Sequence, residues 1–184
     1  MSRAPDRAEF ETVYRQHVQL AWRWLRRLGV PERDLADATQ EVFVVVARKL
    51  HEHDGRRPLA VWLYAICLRI ASNRRRSAAA RNELLLDDEA RSAIQERASA
   101  APSEPSERRA LLEGALDAMS LEQRAVFTLF ELEGYTGEEI AELVGAPLPT
   151  VHSRLRLARE IFRRTVARSR ARDEHELMRV GGKR

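Results

Sequence analysis

Apolar residues recur at three- and four-residue spacing along most of the chain, and no stretch alternates persuasively in twos. Phe10, Val13, Tyr14, Val18, Ala21, Trp24, Leu25 and Leu28 fall on one helical face, which predicts an amphipathic helix over 8–28 ended by Gly29 and Pro31. A second helix is expected from Asp34: "DLADATQEVFVVVARKL" buries Leu35, Ala38, Val42, Val45 or Val46, and Leu50, and "HEHDGRRP" closes it. A third, roughly 59–76, is apolar through Ile70 and finishes in "SNRRR". The fold class this predicts is all-α, with residues 8–76 as a first small helical domain.

Residues 77–108 change character, being rich in Ala, Ser, Glu and Pro, and read as a flexible linker with at most a short helical piece. The second domain spans 109–170. Ser120 with Gln123, and Thr136 with Glu139, each fit a capping box, in which the hydroxyl caps the third amide and the longer side chain reaches back. Helices should therefore start just after 120 and 136. "GEEIAELVG" is a short helix stopped by Gly145, "APLP" is a turn, and a further helix opens at Thr150 or Val151. That layout is a helix-turn-helix. The charged end, 171–184, is expected to be a disordered tail.

On the helix after the turn, Val151, Leu155, Ala158 and Phe162 form an apolar stripe that packs inward. His152, Arg156, Arg159 and Arg163 form a second stripe, about 100° around the axis. The early residues of such a helix face base edges in the major groove, where arginine pairs bidentately with guanine and an apolar side chain meets a thymine methyl. Thr150, His152, Ser153, Arg154, Arg156, Leu157 and Arg159 are the candidate duplex contacts, while Arg163, Arg164 and Arg168 suit phosphates. The bland alternative is a solvated basic helix.

Net charge alone does not decide between these, since 32 basic against 28 acidic residues leave only +4. The distribution is more telling: residues 1–76 carry 15 basic and 9 acidic side chains, 77–108 carry 4 and 7, 121–145 carry 1 and 6, and 150–172 carry 8 and 1. Positive charge collects at two places. The single cysteine, Cys67, can form no internal disulfide and sits in the apolar run "LAVWLYAICL", where a buried inert thiol is expected. That run has ten residues, short of the roughly 20 that cross a bilayer, and the charged start has no signal-peptide core. A cytoplasmic protein without membrane insertion is expected.

Little else in the sequence carries chemistry. His51 and His53 have no further ligand at metal-binding spacing, so no metal site is expected. Asp87, Asp88 and Glu89 lie in the linker without a positioned partner. No nucleotide-binding glycine loop, nucleophile elbow or zinc-hydrolase motif occurs. Neither a cofactor nor an enzymatic activity of the chain's own is expected.

The stretch "LDAMSLEQRAVFTLFELEGYTGEEIAELVGAPLPTVHSRLRLARE" closely resembles region four of the extracytoplasmic function (ECF) sigma factors of bacterial RNA polymerase. "RDLADATQEVFVVVARKL" resembles their region 2.2, and "RRPLAVWLYAICLRIASNRRR" their regions 2.3 and 2.4, in the same order and spacing over about residues 8–170. The resemblance implies core-polymerase contacts at Asp34, Asp37, Gln40, Glu41 and Phe43. Asp37, Gln40, Glu41 and Val44 do lie on one helix face, suited to a basic partner helix, although acids near a helix start also favour its dipole. It further implies that Trp62, Tyr64, Arg69, Asn73, Arg74, Arg75 and Arg76 recognise and help open the minus-ten element, by the stacking and arginine contacts that single strands require. Trp62 and Tyr64 fit a core role equally well. Promoter DNA, core RNA polymerase and an anti-sigma protein are the implied partners of a factor that is monomeric when free.

The match has departures. Relatives often carry asparagine where Arg69 stands, Lys or Arg in place of His152, and a basic residue near Leu157. Two other readings fit the same residues: a stand-alone helix-turn-helix regulator, and a sigma-like adaptor that does not direct transcription.

Overall fold

A computed structural model describes residues 7–56, 58–84 and 107–181, and all regular structure among them is helical. The first unit holds α1 (Arg7–Arg27), α2 (Glu32–Lys49) and α3 (Leu59–Leu84), with a short 3₁₀ turn at Leu50–Glu52. The second holds α4 (Glu107–Asp117), α5 (Leu121–Phe127), α6 (Gly137–Val144) and α7 (Leu148–Gly181). A π-helical turn, Thr128–Leu132, prolongs α5.

Most positions of the predicted stripes are buried, although Phe10 and Val18 of the α1 stripe are only half-buried and Tyr14 stays exposed. Val13, Ala21, Trp24 and Leu25 of α1 pack against Leu35, Ala38, Val42 and Val46 of α2 and Leu63, Cys67 and Ile70 of α3 in one continuous core. Between Val45 and Val46, Val46 takes the core position. Gly29 adopts φ 87°, a left-handed conformation that costs other residues about 1–2 kcal/mol, and it lets Val30 N–H donate back to the Leu25 carbonyl at 3.0 Å. Pro31, with φ −56° and ψ 146°, then sends the chain straight into α2. That helix therefore starts at Glu32, two residues before the expected Asp34.

Three other boundaries differ from expectation, all in favour of longer helices. α3 runs on through Leu84, past the expected end at 76, because "SAAAR" is built from alanine, the best helix former. The rest of the expected linker, 85–106, and its acidic triplet lie outside the described residues. α7 opens at Leu148 rather than at 150 or 151, since Pro149 falls in the first turn, where no amide hydrogen is needed; Thr150 and Val151 N–H donate to the Pro147 carbonyl at 2.9 and 3.1 Å. The same helix continues to Gly181, so residues 171–181 are helical where a disordered tail was expected, and 182–184 lie outside the described residues. Neither glycine nor proline interrupts residues 150–180. Both capping boxes are present, with Ser120 and Thr136 N–H each donating at 2.8 Å to the side chain three residues on, and Gly145 ends α6 in the left-handed conformation, φ 64°.

The two units share their core. Leu121, Ala125, Leu129 and Ile140 of the second unit join the cluster around Trp24, Leu25 and Tyr64 of the first. The Tyr64 hydroxyl donates to the Ala125 carbonyl at 3.3 Å, and its ring meets Trp24 edge-on at 5.1 Å. Arg27 donates to Glu133 at 2.6 Å in a largely buried ion pair; burial lowers the Arg27 pKa and Glu133 opposes that shift. Arg124, 8% exposed, donates to the Met119 carbonyl at 3.3 Å and to Asp117 at 3.2 Å. Its Nη1 lies 2.3 Å from where a Cβ on Gly29 would stand. Around this seam a smaller cluster of Ala115, Leu116, Met119, Phe127 and Ala158 fastens α4 and α5 to α7.

Gly29→Ala is expected to destabilise the protein by about 1–3 kcal/mol, combining left-handed strain with displacement of the buried guanidinium. A urea titration measures it, and in an Arg124→Ala background the same change should cost less because the clash is gone. Burial pushes the Cys67 thiol up to about 12. The native thiol should stay unreactive toward a disulfide reagent at about pH 8 and react fully in denaturant. By linkage, the stability gained from keeping it neutral is complete below the unfolded thiol range, roughly 8.5, and is lost as pH rises through the folded value.

Candidate nucleic-acid interface

Helical geometry sorts the candidates on α3 into three directions. Trp62, Arg69, Asn73 and Arg76 recur at seven-, four- and three-residue steps, which places them on one face. Arg69, Asn73 and Arg76 are exposed, and Arg76 donates to the Asn73 side chain at 2.6 Å. Trp62 is half-buried with its ring 5.5 Å from His53, leaving an aromatic edge at one end of a polar, basic stripe. Tyr64 points the opposite way, into the seam, and at 1% exposure it is a core residue. The stacking role inferred for it from the resemblance is not available to it in this arrangement. Arg75 is exposed and lies toward α5, where its charge helps lower the pKa of Glu122. Arg74 turns a third way, onto α2.

The face of α2 behaves as its periodicity predicts, with one correction. Asp37, Gln40 and Glu41 are exposed together with Val44, and Asp34 is half-buried beside Arg33. Phe43 is instead 3% exposed, its ring 4.8 Å from that of Tyr14, so it belongs to the packing between α1 and α2 and not to that face. Tyr14 itself remains 43% exposed and adds an aromatic margin that the α2 sequence alone gave no hint of.

In the second unit, α6 and the N-terminal half of α7 are held by the capping box at Thr136, the left-handed Gly145 and the buried stripe Val151, Leu155 and Ala158. Space is tight where they cross: a Cβ on Gly137 would stand 3.1 Å from His152 Nε2. Ser153, Arg156 and Leu157 are exposed, and Thr150 is half-buried with its carbonyl accepting from the Ser153 hydroxyl at 3.0 Å. Arg154 is half-buried and its charge, with that of Arg75, favours ionised Glu122; the main cause of that lowered pKa is hydrogen bonding from the Glu122 amide and the Ser120 hydroxyl. Arg159 is not a free contact. It donates to Glu131 at 2.6 Å and lies 5.0 Å from the centre of the Phe130 ring. Phe130 and Glu131 sit in the π-helical turn, whose five-residue register hides their facing from a three-and-four pattern. With Arg156, Arg163 and His152 on its rim and Phe127, Leu155 and Phe162 on its floor, this side of α7 borders a cleft of ≈ 800 Å³.

Among the described residues no group of three potential metal ligands occurs, and no helix is long and apolar enough to cross a membrane. What the arrangement offers chemically is recognition: an acidic face on α2, a polar and basic stripe on α3, and a basic helix end on α7, held in fixed register by a shared core.

Known proteins carry the same two units in the same order. The family described as Sigma-70 region 2 matches residues 13–81, and that described as Sigma-70, region 4 matches residues 109–161. The ECF RNA polymerase sigma-E factor of Escherichia coli is 31% identical over 140 residues, which cover 71% of this chain and 73% of that protein. ECF RNA polymerase sigma factor SigE of Mycolicibacterium smegmatis is 30% identical over 160 residues, covering 86% of this chain and 62% of that relative, so the chain spans about three fifths of its length. Among solved structures, RpoE of Bartonella quintana in complex with the anti-sigma factor NepR superposes with a TM-score of 0.62 at 17% identity, over 86% of this chain and 97% of that one. CnrH in complex with the cytosolic domain of CnrY gives 0.61 at 21% identity, over 89% and 90%, and at these identities both likenesses speak to the fold. Matched in both halves, and at more than 30% identity to a relative covered over most of its length, the chain belongs to the ECF sigma factors of bacterial RNA polymerase.

Proposed function

We propose that this chain is an alternative sigma factor that binds core RNA polymerase and directs it to a specific class of promoters. The observation that carries the reading is the presence, in one chain of this family, of a basic stripe on α3 and a separately capped helix-turn-helix on α6 and α7. In this reading the exposed face of α2, with Asp37, Gln40 and Glu41, docks a basic helix of the polymerase. Trp62, Arg69, Asn73 and Arg76 hold the opened minus-ten strand, stacking and hydrogen-bonding to unpaired bases. Ser153, Arg154, Arg156 and Leu157 read the minus-thirty-five duplex in the major groove, and Arg163, Arg164 and Arg168 take its phosphates. Bond formation belongs to the polymerase.

The factor works in the cytoplasm as a monomer and is held in check by an anti-sigma protein. The Bartonella RpoE structure, named as a complex with the anti-sigma factor NepR, supports that reading.

In vitro transcription tests the proposal: core polymerase, with and without this protein, on a fragmented genomic library, with transcript starts sequenced. Starts that need the protein and share paired upstream elements are the expected result. Binding to duplex DNA without binding to core would instead make it a stand-alone regulator, and core binding without new starts would make it an adaptor. On a promoter so identified, Arg156→Ala should lower transcription about tenfold while leaving core binding intact.

A further inference from the structure

The exposed face of α2 and the arginine that α3 turns onto it meet at one ion pair. Glu41, on the exposed face of α2, accepts a hydrogen bond from Arg74 Nη2 of α3 at 3.1 Å. The pair is only partly buried, with side chains 48% and 31% exposed, so it is a weak bond by ordinary standards. Arg74 is also poorly served by it. Its Nε is buried and has no partner among the described residues, although a guanidinium presents Nε–H and one Nη–H side by side as a fork. A carboxylate or phosphate that took both, once the side chain had swung off α2 and brought Nε to the surface, would satisfy the arginine better than Glu41 does.

We infer that Glu41 and Arg74 form a competitive clasp: in the free protein the acid on the α2 face restrains the arginine, and a DNA backbone phosphate that takes Arg74 leaves Glu41 available to a basic partner on α2. Coupling of this kind is reciprocal, so a partner that engages Glu41 equally releases Arg74 toward DNA. The assignment of Glu41 to the polymerase rests on the proposed function and that of Arg74 to DNA on the family resemblance, whereas the clasp itself rests on the geometry of the free chain.

The test begins without polymerase, using the full chain and a labelled single-stranded oligonucleotide of about 12 nucleotides in fluorescence anisotropy. Glu41→Gln is expected to tighten binding about two- to fivefold, the size of a partly exposed ion pair, and to steepen the log–log salt dependence by about 0.7, one additional phosphate contact. Glu32→Gln, which removes the same charge from the exposed start of α2, controls for net charge. Arg74→Gln should weaken binding, and adding Glu41→Gln to it should gain nothing further. A gain at Glu41 no larger than that at Glu32, or one that persists without Arg74, overturns the clasp. In a second arm, saturating oligonucleotide should tighten the wild-type protein on core polymerase by about two- to fivefold more than it tightens Glu41→Gln; equal tightening overturns the coupling. Failure to direct transcription would sink the functional reading and leave the polymerase-free comparison untouched.

Discussion

The buried guanidinium of Arg124 is the constraint around which the two units are organised. A charge taken out of water costs roughly several kcal/mol unless its donors are met, and here Nε and Nη2 are met by the Met119 carbonyl and Asp117 within the second unit. Its outer edge presses on Gly29 of the first unit, at a turn that must be left-handed to reverse the chain. Absence of a side chain at 29 therefore serves two needs at once, the turn and the approach of the arginine. Beside it the Tyr64 hydroxyl finds its acceptor at Ala125, whereas the Trp24 indole N–H is buried with no partner among the described residues. Two helical units of modest size thereby share one core.

That seam also explains how charge is distributed. The second unit's acids do not form one solvated patch: Glu133 holds Arg27, Glu131 holds Arg159, and Glu122 lies near both Arg75 and Arg154. The basic excess of α7 is correspondingly smaller in effect than the count of its arginines. Arg156 and Arg163 stay exposed beside Arg159 around the same cleft, and Arg168 is exposed on the side of Ser153 and Leu157. Recognition by this helix depends on which arginines the protein has not already used internally.

How far this was legible in the sequence varied with the range of the interaction. Capping boxes, the glycine stop at 145 and the buried stripes are local, encoded within four residues, and the helices follow them closely. Helix ends next to Pro31 and Pro149 and the alanine-rich continuation of α3 were misplaced because propensity and proline position outweighed the more visible hydrophobic pattern. The roles of Tyr64, Phe43 and Arg159 were the least legible. Each depends on a residue at some distance in the chain, Ala125, Tyr14 and Glu131 respectively, and periodicity says only that a face exists, not what covers it. The family resemblance supplied the positions on α2 and α3, and the packing then separated those that reach the surface from those that do not.

All three tryptophans, Trp22, Trp24 and Trp62, belong to the first unit, and the second has none. Trp24 is the one next to the seam, in edge contact with the tyrosine that is bonded to Ala125. The protein thus carries a native optical reporter of contact between its halves: unseating the second unit would expose Trp24 and change its emission against a background from Trp22 and Trp62, and that unit adds no indole signal of its own.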